Sequence, residues 1–207
     1  MYNRKETKTV FVGSVPVGGD NPISVQSMTN VPAEDFENSI KQIKQLEKAG
    51  CDIVRLAVPK AECAEVFSLA KKAGVKCPLV ADIHFDYKIA LECVRHGVDK
   101  VRINPGNIGE KWKVKEVAEA CKNASIPIRI GVNGGSLDKK LLAKYSHPCA
   151  EALAESALTE AEALEDCGFS DIVISIKSSN VAEMVKASTL VRNASSYPLH
   201  LGVTEAG

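Results

Sequence analysis

The chain has 207 residues, 45% of them hydrophobic and 25% charged, which suits one large folded domain with a sizeable core and excludes a low-complexity or disordered chain. Lys plus Arg and Asp plus Glu balance at 26 each, so no overall field draws the protein to nucleic acid or to an anionic membrane. Residues 1–10 carry Arg4, Lys5, Glu6 and Lys8 instead of an apolar leader, and no later stretch approaches ~18 apolar residues; both features predict a cytoplasmic protein.

Residues 9–17 alternate about Gly13 and Ser14 as a hairpin does, and are expected to plug the floor of the domain. From there short β-rich runs alternate with longer helical stretches. The runs are residues 23–28, 52–58, 78–81, 99–104, 127–132, 171–177 and 198–203. Between the first two, Phe36, Ile40, Ile43 and Leu46 recur at helical spacing and stop at Gly50. Ile89, Cys93 and Val94 stop in the same way at Gly97, and Leu153, Ala157, Leu164 and Cys167 at Gly168. Residues 133–148 form the longest connection, which is expected to act as a lid.

Seven β runs separated by helices predict a parallel α/β fold. A doubly wound sheet would gather its ligand groups at one switch point behind a glycine-rich turn, whereas here polar residues end nearly every run. The expectation is a TIM-type (β/α) barrel with seven of its eight units, an N-terminal hairpin, and apolar edge exposed where the eighth strand would lie. No linker interrupts it, so residues 1–207 are read as one substrate-binding barrel domain. Seven cysteines, an odd number, are scattered without a Cys-x-x-Cys pair. They predict reduced, buried thiols, mostly on helical faces, with no metal or cluster motif in this stretch.

The chemistry lies at the ends of the runs: Arg55, then Asp82 and His84, Arg102 and Asn104, Arg129 and Asn133, Lys177, and last His200 and Glu205. Spacings of two or four put each pair on one side of its strand. Four cations, Arg55, Arg102, Arg129 and Lys177, would repel one another in a barrel mouth unless an anion sat between them, and guanidinium forks suit a phosphate or diphosphate. The competing reading pairs each arginine with a neighbouring carboxylate at the barrel rim. Residues 105–109 could offer backbone N–H groups to an anion or simply turn the chain. Asp82 and His84 could be an acid/base pair or a structural hydrogen bond. Glu205 is a candidate proton donor or an exposed carboxylate.

Five segments carry a resemblance: residues 22–30 (Pro-Ile-Ser-Val-Gln-Ser-Met-Thr-Asn), 80–87 (Val-Ala-Asp-Ile-His-Phe-Asp-Tyr), 101–109 (Val-Arg-Ile-Asn-Pro-Gly-Asn-Ile-Gly), 128–133 (Ile-Arg-Ile-Gly-Val-Asn) and 200–207 (His-Leu-Gly-Val-Thr-Glu-Ala-Gly). From about Thr9 onward the chain resembles the hydroxymethylbutenyl diphosphate synthases of the methylerythritol-phosphate route to isoprenoids. The resemblance implies reductive ring opening of 2-C-methyl-D-erythritol 2,4-cyclodiphosphate to hydroxymethylbutenyl diphosphate with loss of water. It implies two electrons delivered by ferredoxin or flavodoxin through a 4Fe-4S cluster, in a homodimer. Arg55, Arg102, Arg129 and Lys177 would hold the diphosphate, Asp82, Asn104, Asn133 and His200 would make polar contacts with the substrate, and Asp82, His84 and Glu205 would serve the chemistry. By the same resemblance the cluster ligands belong to a separate C-terminal domain, so residues 1–207 would hold the barrel half of the site, bind no cluster and have no activity alone. Two other classes stay open: a class I aldolase using Lys177 as a Schiff base, and a non-catalytic phosphate-ligand binding module.

Overall fold

In the computed structural model, which describes residues 6–203, the chain opens with two antiparallel strands, β1 (Thr9–Val12) and β2 (Val15–Gly18), with Val10 opposite Val17. Gly13 makes the turn at φ +54°, and a Cβ there would touch the Pro78 ring at 3.0 Å. Val12 packs with Ile53 and Val80, so the hairpin closes the end of the sheet where the parallel strands begin, as the expected plug would.

Six parallel strands follow: β3 (Gln26–Met28), β4 (Ile53–Ala57), β5 (Leu79–Asp82), β6 (Lys100–Ile103), β7 (Ile128–Asn133) and β8 (Ile172–Lys177). They lie side by side in chain order, without the reversal that marks a doubly wound sheet. The sheet curls: Lys100 Nζ on β6 donates to Gln26 Oε1 on β3 at 3.2 Å, across the interior and three strands away. The result is an open barrel.

The seventh run departs from expectation. Residues 198–203 form no strand among the described residues; a single parallel bridge sets Leu199 opposite Ile174. Ile174 N donates to Pro198 O at 3.0 Å and His200 N donates to Ile174 O at 2.8 Å. Pro198 has no N–H to extend the ladder, and Leu201 and Val203 are exposed to solvent. Ile23 (80% exposed) and Val25 flank the opposite edge, so the gap exposes apolar side chains, as expected.

The outer layer holds α1 (Phe36–Lys48), α2 (Glu65–Lys72), α3 (Tyr87–Arg95), a short α4 (Pro105–Ile108), α5 (Lys111–Asn123), α6 (Lys139–Tyr145), α7 (Ala150–Glu165) and α8 (Val181–Ala194). Side chains of Asp35, Asp86, Asp138 and Asn180 accept backbone N–H groups at the starts of α1, α3, α6 and α8. Gly50, Gly97 and Gly168 take the left-handed turns expected after α1, α3 and α7. Helix α7 buries Ala150, Ala152, Ala154, Ala157 and Ala161, small enough to bring its backbone close to β7 and β8. The expected lid is ordered: it contains α6, tied to α7 where Tyr145 Oη and Lys144 Nζ donate to Glu155 Oε2 at 2.7 and 2.6 Å.

The cysteines are free, but only Cys63, Cys93 and Cys121 are buried; Cys51, Cys77, Cys149 and Cys167 are half-buried. Cys51 lies ahead of β4, not on a helical face. There it serves the sheet edge: Ser27 N donates to its Sγ at 3.2 Å and its Sγ–H donates to Ile53 O at 3.0 Å. Among the described residues no helix is long and apolar enough to cross a membrane.

Candidate functional site

Strand alternation divides the sheet's side chains into two sets. Val54 and Leu56, Leu79 and Ala81, Val101 and Ile103, Ile128, Ile130 and Val132, and Ile172, Ile174 and Ile176 pack outward under the helices. The alternate positions point inward, and most are polar: Gln26, Arg55, Asp82, Lys100, Arg102, Arg129, Ser175 and Lys177.

At the C-terminal mouth, Arg55, Asp82, His84, Arg102, Arg129, Gly131, Asn133, Ser175 and Lys177 line a cavity of about 170 Å³. Asp82 is the only carboxylate among these lining residues. Arg102 Nη1 donates to Asp82 Oδ1 at 3.1 Å, while Arg55 Nε and His84 Nε2 each lie 3.6 Å from Asp82 Oδ2. Arg102 Nη2 also donates to Gly131 O at 3.2 Å. Arg55 spends Nε and Nη2 on the thioether of Met28, at 3.1 and 2.9 Å, a weak acceptor. Arg129 is 1% exposed, and its Nε and Nη1 have no partner, nor has Ser175 Oγ.

Behind these residues a larger cavity of about 620 Å³ opens into the gap, with Gln26, Lys100 and His200 in its lining and Arg55 and Lys177 shared between the two spaces. Among the described residues, cations thus outnumber carboxylates in the lining of both cavities. Burial, with Arg55 and Arg102 nearby, lowers the Arg129 pKa to about 9, which leaves it charged at neutral pH. Burial and the arginines lower Lys177 to about 8, and burial with Arg129 and Arg55 lowers Lys100 to about 7. Burial and the same cations hold His200 far below its ordinary value, so its imidazole is neutral.

Seven of the residues picked from sequence, Arg55, Asp82, His84, Arg102, Arg129, Asn133 and Lys177, meet in the mouth cavity. Three do not. Asn104 was read as a strand-end side chain facing substrate, but it is 1% exposed and lines neither cavity; its Oδ1 accepts Asn107 N at 3.2 Å and starts α4, which Pro105 opens. His200 lines the larger cavity instead of the mouth, and Glu205 lies outside the described residues. The rim-pairing reading holds for Arg55 and Arg102, which share one carboxylate, and fails for Arg129.

Lys100, Gln26, Ser175 and Gly131 were missed by a search confined to the ends of the runs, although Lys100 and Ser175 stand two residues before Arg102 and Lys177 and so share their faces. A further buried acid, Glu160 on α7, has an unpartnered Oε2, and burial raises its pKa to about 8, so it is protonated at neutral pH. Among the described residues no three His, Cys, Asp or Glu side chains are grouped to hold a metal.

Comparison with known proteins gives the following. The family model described as the GcpE TIM-barrel domain matches residues 7–207. A 4-hydroxy-3-methylbut-2-en-1-yl diphosphate synthase (flavodoxin) of Clostridium acetobutylicum is 58% identical over 204 residues, covering 99% of this chain and 58% of its own length. The protein of the same name from Symbiobacterium thermophilum is 54% identical over 207 residues, covering 100% of this chain and 56% of its own. The chain therefore spans a little over half the length of these relatives. Among solved structures, a type I 3-dehydroquinate dehydratase from Clostridium difficile aligns with a TM-score of 0.71 at 15% identity, over 96% of this chain and 81% of that one. A truncated 3-deoxy-D-arabino-heptulosonate 7-phosphate synthase from Thermotoga maritima gives 0.68 at 15% identity, over 94% and 68%. At that identity the likeness carries the fold alone.

Proposed function

The chain belongs to the GcpE TIM-barrel family, and we propose that it supplies the diphosphate-binding barrel of a 4-hydroxy-3-methylbut-2-en-1-yl diphosphate synthase. One observation carries the reading: Arg129, nearly inaccessible and still cationic, keeps two guanidinium nitrogens unspent in a cavity whose described lining offers one carboxylate to four cations. Burying such a charge is costly unless an anion completes it, and a diphosphate would bring several charged oxygens to Arg55, Arg102, Arg129 and Lys177. The substrate would be 2-C-methyl-D-erythritol 2,4-cyclodiphosphate, the reaction its two-electron ring opening with loss of water. The donor would be flavodoxin, as the relatives' names specify for those proteins.

In this reading Asp82 keeps Arg55 and Arg102 aimed at the phosphate oxygens and His84 in reach of the carbon skeleton, Asn133 adds a polar contact at the rim, and Glu205 delivers a proton to the departing hydroxyl. His200 is neutral and would accept or donate a hydrogen bond without adding charge. The 4Fe-4S cluster implied by the family does not fit the thiols described here, which lie on separate helices and strand approaches with no convergent set. No step through a cluster is therefore derived for this chain. The electrons would come from the part of a longer, homodimeric enzyme that corresponds to the remaining length of the relatives.

Calorimetry tests the reading directly. Cyclodiphosphate and inorganic pyrophosphate are expected to compete for one site on the chain. Borohydride with an aldehyde or ketose phosphate should leave Lys177 unlabelled; covalent trapping at Lys177, whose lowered pKa would equally suit an imine, would favour the aldolase reading instead.

A further inference from the structure

Gly131 sits in the middle of β7, two residues from Arg129 and two from Asn133, on the inward face and opposite Ser175 of β8. It is absent from the positive-φ glycines, so its backbone would accept any L residue without strain. What an added side chain would meet is Arg102: a Cβ built at Gly131 lies 2.8 Å from Nη2, 3.0 Å from Cζ and closer still to Nε. The Nε and Nη2 edge of the Arg102 guanidinium thus abuts the Gly131 backbone, where Nη2 also donates to Gly131 O. Asp82 holds the Nη1 corner of the same plane. Two of its edges are fixed, and Nε is buried and has no partner.

We infer that Gly131 is a positioning residue for anion binding: the missing Cβ is what lets Arg102 set the Nε and Nη2 edge of its guanidinium against the strand while Nη1 stays on Asp82 at the mouth cavity. The inference rests on the anion-site reading above. A glycine inside a strand weakens the sheet, and a close approach by another group is one reason to keep it. Here that group is the guanidinium. A methyl at this position would lift the fork off the strand, weakening its bonds to Gly131 O and Asp82 and pushing it into the 170 Å³ that the anion needs. Arg102 is a flexible side chain and can move, so the fold survives while the site is spoiled.

The experiment is a double-mutant cycle in the 207-residue chain with inorganic pyrophosphate as probe, read by calorimetry, with circular dichroism melts as the check on folding. Gly131→Ala is expected to bind pyrophosphate about ten- to a hundredfold more weakly, the effect of one lost charge-assisted contact, while its melting temperature stays within a few degrees. In an Arg102→Ala background the same Gly131→Ala change should alter affinity less than about twofold, because the group it displaces is gone. Arg102→Lys, with a slim ammonium in place of the planar fork, should recover part of the affinity lost in Gly131→Ala. Unchanged affinity in Gly131→Ala, or an equal loss with and without Arg102, would overturn the inference while the unsubstituted chain still binds. Failure of the unsubstituted chain to bind pyrophosphate would overturn the anion-site reading, and the inference with it.

Discussion

The two faces of the six-stranded sheet are built from alternate residues of the same strands, yet they do opposite work. Outward, Ile128, Ile130, Ile172 and Ile174 are completely buried on the face covered by α7 and α8, and burial of each such side chain contributes roughly 1.5–3 kcal/mol. Inward, the neighbouring positions hold Arg129, Lys100 and Ser175, also removed from water but with charges and hydroxyls that the chain itself only partly satisfies. The outer face stabilises the barrel, and the inner face draws on that stability to keep a cationic site dry and ready. Sites built in this way trade stability for function.

Substitution on the two faces should separate these roles. The largest effect is expected outside: Ile130→Ala removes a fully buried side chain between β7 and the helices and should cost about 2–5 kcal/mol in urea unfolding. A loss below about 1 kcal/mol would mean that the outer face is not the barrel's main support. Next comes Arg129→Ala, one residue earlier on the inner face, which should weaken pyrophosphate binding by about 1.5–3 kcal/mol while leaving unfolding stability unchanged or raised, since an unpaired buried charge is removed. If Arg129→Ala destabilised the free chain as much as Ile130→Ala does, the contrast between the faces would be lost.

The smallest effect at any one step is a slope with pH. Lys100 has a folded pKa near 7 against an ordinary 10.5, so between those values the unfolded chain holds a proton that the folded chain has released. Lys100 should therefore contribute a rise in stability with pH through that window, by at most about 1.4 kcal/mol per unit, and the full penalty of the buried ammonium should be felt below pH 7. Lys100→Met should flatten this part of the profile. An unchanged slope would place its origin in another group.

The outer face and the order of its strands were legible in sequence because each signal is local: apolar alternation in the runs, aspartates ahead of the helices, and glycines at Gly50, Gly97 and Gly168. The seventh strand was not, because residues 198–203 have the composition of a strand but a strand exists only as far as neighbours pair with it, and here the pairing stops at one bridge. The capping role of Asn104 was not legible for a related reason: in Asn-Pro-Gly the proline at the first helical position sets the asparagine as a helix cap. The convergence of the mouth residues on one cavity follows from their shared strand-end positions. Their wiring was not legible, since the sharing of Asp82 by Arg55 and Arg102, and the reach of Lys100 to Gln26, depend on how tightly the sheet curls. Lys100 and Gly131 escaped because charge and space were sought at strand ends, while the interior is polar along most of its height.

The central claim, that the inner face is an anion site, is tested most directly by titrating pyrophosphate into the chain at low and high salt, alongside the chain carrying Arg55→Ala, Arg102→Ala and Arg129→Ala together. The account predicts one-to-one binding that weakens as salt rises, and no measurable binding once the three guanidinium groups are removed. Equal affinity in the two proteins, or binding indifferent to salt, would contradict it.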